Sequence, residues 1–317
     1  MRRRQLGRSD LQVAPLCLGG NVFGWTADED ASFTVLDAYM DAGGNFVDSA
    51  DVYARWAPGN RGGESEEVLG RWMASRGNRS SVIVATKLGS EMGPGASGLS
   101  PQYMTQAVEA SLRRLQTDYV DLYQAHRDDA STPLDETLAA FDDLIKQGKV
   151  RVIGASNYSA ARLTEAVATS ERLGLARFES LQPPYSLVQR DEYEPDLEPY
   201  CREHAIGVIP YSSLASGFLS GKYRAGQPLP TTPRAGGIQQ KYMNERGFAV
   251  LAELDRAATA HSATPAQVAL AWLMARPGLT APIASATTVP QLREIMGAID
   301  LTLDPATIAA LDTAQAA

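Results

Sequence analysis

Short apolar runs alternate along the chain with longer stretches that repeat apolar residues every three or four positions. The runs lie near 16–20, 45–50, 82–87, 120–126, 152–157, 180–185, 207–213 and 281–286. They are too short for typical helices and read as buried strands. Between them, 28–42, 65–76, 101–115, 133–147, 160–173, 196–204 and 264–276 carry the pattern of one-sided helices. Eight such strands, each followed by a helix, predict an α/β fold with a parallel sheet closed into a (β/α)8 TIM barrel. A helix at 289–296 follows the eighth run, and 304–315 adds one more. Residues 1–15, around Gly7-Arg8-Ser9-Asp10, read as an N-terminal β-hairpin that caps the barrel floor.

Helix punctuation agrees with this frame. Ser100-Pro101, Thr132-Pro133 and Thr264-Pro265 read as an N-cap followed by proline in the first turn. Gly148 and Gly174 fall where C-terminal glycines belong. In 60–66 the sequence predicts a loop end, with Ser65 capping the helix behind it. Two long loops, 89–100 and 216–238, follow strand ends and are expected to overhang the C-terminal face. No linker and no repeat beyond the βα rhythm appears, so 1–317 reads as a single domain.

Composition narrows the class. The chain has 317 residues, 44% hydrophobic and 21% charged, and a formal net charge of −8. That balance disfavours nucleic-acid binding, which leaves a basic footprint. No run approaches the roughly 18 apolar residues of a membrane helix, and the basic start lacks a signal peptide's apolar stretch. Two cysteines, Cys17 and Cys201, make no disulfide framework and suit a reducing, cytoplasmic setting. Cys17, in an apolar run, reads as a buried inert thiol. No His/Cys/carboxylate cluster has metal-ligand spacing.

Four polar residues stand at or just beyond strand ends, where parallel-barrel enzymes place their chemistry. They are Asp48, Tyr53, Lys87 and His126. A phenol with an unperturbed pKa near 10 is a weak acid at neutral pH, and a nearby ammonium is expected to lower it. A carboxylate fixes the ammonium, and an imidazole can orient a carbonyl oxygen. Singly, each residue more often serves structure; together they suit proton delivery to a carbonyl.

Five segments carry a resemblance to the aldo-keto reductase family across nearly the whole chain: 45–53, 84–87, 118–126, 154–157 and 210–217. The Tyr211-Ser212-Ser213-Leu214-Ala215 segment and its following loop are similar to the branch holding bacterial reductases and potassium-channel β subunits. The resemblance implies binding of NADP(H), with NAD(H) as a weaker alternative, without a glycine fingerprint. It implies Tyr53 as general acid, tuned by Lys87 and Asp48, with His126 orienting the substrate. By the same resemblance Ser156, Asn157 and Gln182 meet the nicotinamide carboxamide, and Tyr211 stacks on its ring. Ser212, Leu214, Ser216 and Lys222 match pyrophosphate contacts, and Gly20 and Asn21 a turn near the ribose. Ser285, Thr287 and Gln291 lie at the adenosine end, and Ser285 and Gln291 stand where many relatives carry Lys and Arg for the 2′-phosphate. Arg234 would supply that missing cation. Glu294 matches an adenine contact, and Ile295 replaces the branch's usual Asn.

On the substrate side the resemblance implies an open pocket for a small carbonyl compound. Its expected walls are Trp25, Arg55, Trp56, the 89–100 loop, Arg127 and Tyr185. Trp25 and Trp56 offer stacking surfaces for a sugar or aromatic ring. Arg55, Arg61 and Arg127 either bind an anionic group or are simply solvated. Two readings stay open beside the reductase: a redox-sensing module with slow turnover that regulates a partner, and a barrel isomerase or lyase that binds no nicotinamide.

Overall fold

The computed structural model describes residues 1–314. A two-stranded antiparallel hairpin, β1 (Arg4–Gln5) and β2 (Gln12–Val13), precedes the main sheet. Eight parallel strands follow: β3 (Cys17–Gly19), β4 (Phe46–Asp48), β5 (Ile83–Leu88), β6 (Val120–Ala125), β7 (Val150–Ser156), β8 (Ser180–Gln182), β9 (Gly207–Val208) and β10 (Ile283–Ala284). From β3 to β9 each pairs with the next in sequence, and β10 pairs with β3. Thr280 N–H donates to Val208 O at 2.8 Å and Ile283 N–H to Pro210 O at 2.9 Å, which brings β10 round to β9 and closes the barrel. The structure is the expected TIM barrel.

Helices α1 (Glu29–Asp41), α2 (Glu64–Arg76), α3 (Pro101–Leu115), α4 (Leu134–Lys146), α5 (Ala160–Leu173) and α6 (Leu197–Glu203) follow the first six barrel strands. After β9 come α7 (Ala235–Tyr242), α8 (Glu245–Ala260) and α9 (Pro265–Met274), and after β10 come α10 (Val289–Met296) and α11 (Pro305–Thr313). The expected last helix extends to Gln315, which lies outside the described residues. Thr264 forms a full capping box with Gln267, as its proline-led start predicts. Gly148 and Gly174 take positive φ at helix ends.

Three expectations need correction. The cap of α4 is Pro133, because the Thr132 hydroxyl donates to Asp129 instead, at 2.7 Å. Gly63 in the left-handed region starts α2, and Ser65 is buried within it, donating to Gly20 O at 2.8 Å. The long loop after β9 is shortened by a 3-10 turn at Ala215–Ser220 and by α7, and α8 is an additional helix. Asn244 caps α8, and its Val250, Leu251, Leu254, Ala257 and Ala258 are buried at helical spacing.

Period-two alternation decides what fills the barrel. Leu6, Leu11 and Val13 of the hairpin pack on Cys17, Phe46, Ala85, Leu122, Val152, Ile209, Ala281 and Ile283. This is an apolar plug at the floor. One step up each strand, on the same inward face, come Asp48, Lys87, Gln124, Gly154 and Gln182. The pleat that makes an apolar floor therefore makes a polar upper layer. Outward residues such as Leu18, Val47, Val84 and Tyr123 join the larger core under the helices.

Candidate active site

Asp48 ends β4 with its side chain 1% exposed, and Lys87 on β5 is fully buried. Lys87 Nζ donates to Asp48 Oδ2 at 2.7 Å, to Ser49 O at 2.8 Å and to Tyr53 Oη at 2.9 Å. Tyr53 Oη donates to Asp48 Oδ2 at 3.2 Å. A tight turn after β4 brings it back, with Tyr53 N–H on Ala50 O and Ala54 at φ 70°. Replacing a buried ion pair with packed apolar groups is often neutral or stabilising by about 1–4 kcal/mol. Its place at the strand ends of a barrel therefore points to function rather than stability.

The electrostatics differ from the sequence expectation in one respect. Burial raises the Tyr53 phenol well above its ordinary range, with the Asp48 charge and hydrogen bond adding to it. The expected lowering by Lys87 is outweighed, and Tyr53 remains a phenol at working pH. His126 follows β6, its ring 6.1 Å from that of Tyr53, edge to face. Burial, then the charges of Lys87 and Arg127, lower its imidazole to about 3. It is neutral, and its buried Nδ1 has no partner among the described residues.

Beside this cluster lie the candidates of β7 and β8. Ser156 Oγ donates to Gln182 O at 2.8 Å, and Asn157 Nδ2 to His126 O at 2.9 Å. Asn157, at φ 58°, accepts from Tyr211 Oη at 2.8 Å. Gln182 Nε2 donates to Asp48 Oδ1 at 2.9 Å and to Gln124 Oε1 at 3.4 Å. Gln124 was absent from the sequence candidates. Its signal was available, since it stands two residues before His126 on the inward face of β6.

The segment after β9 suits an anion. Ser212, Ala215, Ser216 and Gly217 all have positive φ, between 48° and 101°. Ala215 N–H and Gly217 N–H close this tight turn on Ser212 O at 2.7 Å and Leu214 O at 2.8 Å. Lys222 Nζ lies 3.5 Å from the position a Cβ on Gly217 would take, and pairs with no described carboxylate. Across the barrel mouth, Ser285 Oγ donates to Asn21 Oδ1 at 2.7 Å. A Cβ on Gly20 would meet Asp48 O and Ser65 Oγ at 2.9 Å, so this turn requires glycine. Thr287 donates both N–H and Oγ1 to Gln291 Oε1, and Glu294 lies one turn further along α10. The Lys222 ammonium beside this turn and the close Gly20 turn suit the diphosphate and ribose of a dinucleotide.

Arg234 lies at the same mouth, on the long segment after β9. Its guanidinium lies 5.1 Å from the ring centre of Trp25. Trp25 packs edge-on against Trp56 at 5.6 Å, and Trp56 against Tyr53 at 6.0 Å. Trp56, 49% exposed, and Tyr53 help line a cleft of about 620 Å³. Its other walls are Val52, Gly89, Ser90, Glu91, Ser97, Gly98, His126, Arg127, Asp128 and Asp129. The 89–100 loop thus overhangs the site as expected. Tyr185 does not line it: the side chain is buried, with Oη donating to Glu194 at 2.6 Å. Arg55 is tied to Glu91 O.

Comparison with known proteins agrees with this geometry. Residues 15–316 match the model of the Aldo/keto reductase family. An uncharacterized oxidoreductase, YrpG, of Bacillus subtilis is 37% identical over 96% of this chain and 93% of its own length. A probable voltage-gated potassium channel subunit beta of Arabidopsis thaliana is 35% identical, over 95% of this chain and 92% of its own. The Schizosaccharomyces pombe aldo-keto reductase yakc [NADP(+)] is 32% identical, over 92% and 84%. With a closed barrel, Tyr53 set against the buried Asp48–Lys87 pair at its mouth and a match along nearly its whole length, the chain belongs to the aldo/keto reductase family of oxidoreductases.

Proposed function

We propose that this chain, acting as a single barrel unit, is an NADPH-dependent reductase that converts an aldehyde or ketone to an alcohol. One observation carries the reading. The Tyr53 hydroxyl, held as a phenol, sits 2.9 Å from a buried ammonium and opens on a cleft wide enough for a small carbonyl compound. Bound NADPH would supply hydride to the carbonyl carbon. Tyr53 Oη gives its proton to the carbonyl oxygen, and the charge left on it is balanced by Lys87 Nζ. Asp48 keeps that ammonium fixed. Neutral His126 orients the carbonyl oxygen from the other side. Ser156, Asn157 and Gln182 hold the carboxamide, and Tyr211 sets the ring face. Ser212, Leu214, Ser216 and Lys222 take the diphosphate; Gly20, Asn21, Ser285, Thr287, Gln291 and Glu294 take the ribose and adenosine side. The substrate rests against Trp25, Trp56 and Arg127. The buried free thiols Cys17 and Cys201 suit a cytoplasmic enzyme.

The test follows NADPH absorbance with an activated aldehyde. Wild type should oxidise NADPH, and Tyr53→Phe should lower turnover by about 10²–10⁴-fold, the usual loss when a general acid is removed. Unchanged turnover in the variant would sink the mechanism. The likeness to channel β subunits supports a second reading, a sensing module with slow turnover. A single hydride transfer without cycling would favour it.

A further inference from the structure

The upper layer of the barrel contains a buried amide that the proposed reaction does not use. Gln124 on β6 is fully buried, and its Nε2 has no partner among the described residues. A buried unsatisfied donor costs stability that an apolar side chain of similar size would not. Gly154 is the neighbour of Gln124 across the β6–β7 ladder, and a Cβ there would lie 2.1 Å from Ser180 Oγ and 3.2 Å from Gln124 Cγ, so the layer around the amide is tightly filled. Something other than packing retains the amide.

Its one contact shows what that is. Gln124 Oε1 accepts from Gln182 Nε2, the same nitrogen that donates to Asp48 Oδ1. Asp48 Oδ2 is meanwhile occupied by Lys87 and Tyr53. A carboxamide has one donor end and one acceptor end. Two acceptors converge on the Gln182 nitrogen, so a flipped amide would set its oxygen against both of theirs. Gln182 Oε1, which receives nothing from any described residue, is thereby fixed facing away from Asp48.

We propose that Gln124 is a positioning residue: with Asp48 it locks the Gln182 amide so that Oε1 accepts the carboxamide N–H of the nicotinamide, linking cofactor recognition to the Asp48–Lys87–Tyr53 cluster. The proposal rests on the reductase reading for the identity of the cofactor. In this role Gln124 acts through Gln182.

Binding separates this role from a structural one. NADPH and its reduced 3-acetylpyridine analogue, whose methyl ketone has no N–H, would be titrated against wild type and Gln124→Leu by protein fluorescence, beside thermal melts. Wild type should prefer NADPH. In Gln124→Leu the NADPH Kd should rise about five- to tenfold, the value of one hydrogen bond. Analogue binding should be unchanged, and the melting temperature no lower than wild type. A preference equal to wild type's would overturn the proposal. If Gln124→Leu fails to fold, Gln124→Met repeats the test at closer shape. Instability in both would mark Gln124 as structural and overturn it as well. Wild type that binds neither dinucleotide would instead sink the reductase reading.

Discussion

At the scale of single residues, the polar groups behind Tyr53 matter as much as those in front. Asp51 is 2% exposed, and neither carboxylate oxygen has a partner among the described residues. Burial, then the nearby Glu66 charge, raise it to about 8, against the pull of Arg114. The folded chain therefore holds a proton there that the unfolded chain releases near pH 4. The contribution of Asp51 to stability falls as pH rises from about 4 through about 8, and levels off above, because at this group the folded state binds more protons in that window. Asp51→Asn has nothing to ionise. Its melting temperature should gain on wild type steadily across that window. A gap that stays constant from pH about 4 to above 8 would show that Asp51 titrates normally. The carboxylate, phenol, ammonium and imidazole of the site were all legible in the sequence, because strand ends and residue type suffice to find them. The direction of the Tyr53 shift was not, since it depends on burial and on the approach of Asp48 Oδ2, which spacing does not reveal. Arg234 on Trp25 is likewise a tertiary contact with no local signature.

At the scale of elements, α2 and α3 meet with almost no clearance. A Cβ on Gly70 would lie 2.2 Å from Arg114 O and 2.7 Å from the Leu115 carbonyl carbon. Arg114 at the same crossing pairs with buried Glu66 at 2.7 Å. Alanine in place of glycine gains up to about 1 kcal/mol of helix propensity. Here the steric cost, about 1–3 kcal/mol for overpacking, should outweigh it. Gly70→Ala should lower the midpoint of chemical denaturation, and a midpoint equal to or above wild type would refute the close packing. Helix limits were readable where a cap and a proline coincide: 101–115 begins at the Ser100 cap, and 289–296 carries a proline in its first turn. Ser65 misled because a serine ahead of an apolar run also suits a buried hydroxyl, and only the third dimension supplies Gly20 O. Helix α8 escaped although its pattern is regular, since it is a second helix between one strand and its partner helix and so falls outside the βα rhythm. Strand lengths were overestimated where prolines intervene: Pro183, Pro210 and Pro282 lack the N–H that would extend β8, β9 and β10.

At the scale of the molecule, the segment from Lys222 to Tyr242 leaves strand β9 and reaches the β3 side of the mouth, where Arg234 rests on Trp25. Burial lowers the Arg234 guanidinium's pKa. It has no described carboxylate to offset that desolvation, so a cation–π contact worth about 0.5–2 kcal/mol is what holds it there. A dinucleotide bound beneath this segment would add contacts that exist only in the folded state. At a ligand concentration of 100 Kd the gain is about 2.7 kcal/mol. For a chain of this size that moves the melting temperature by several degrees. NADPH at saturating concentration should raise it more than NADH, because the extra phosphate can draw the unpaired guanidinium off Trp25. Arg234→Met keeps an apolar side chain on the indole and removes the charge. In that variant the NADPH shift should shrink to the NADH value while the NADH shift is retained. If both shifts persist unchanged, Arg234 serves the aromatic wall alone and the phosphate is read by Ser285, Thr287 and Gln291. If both collapse together, the stack closes the segment over any dinucleotide, whatever its phosphate.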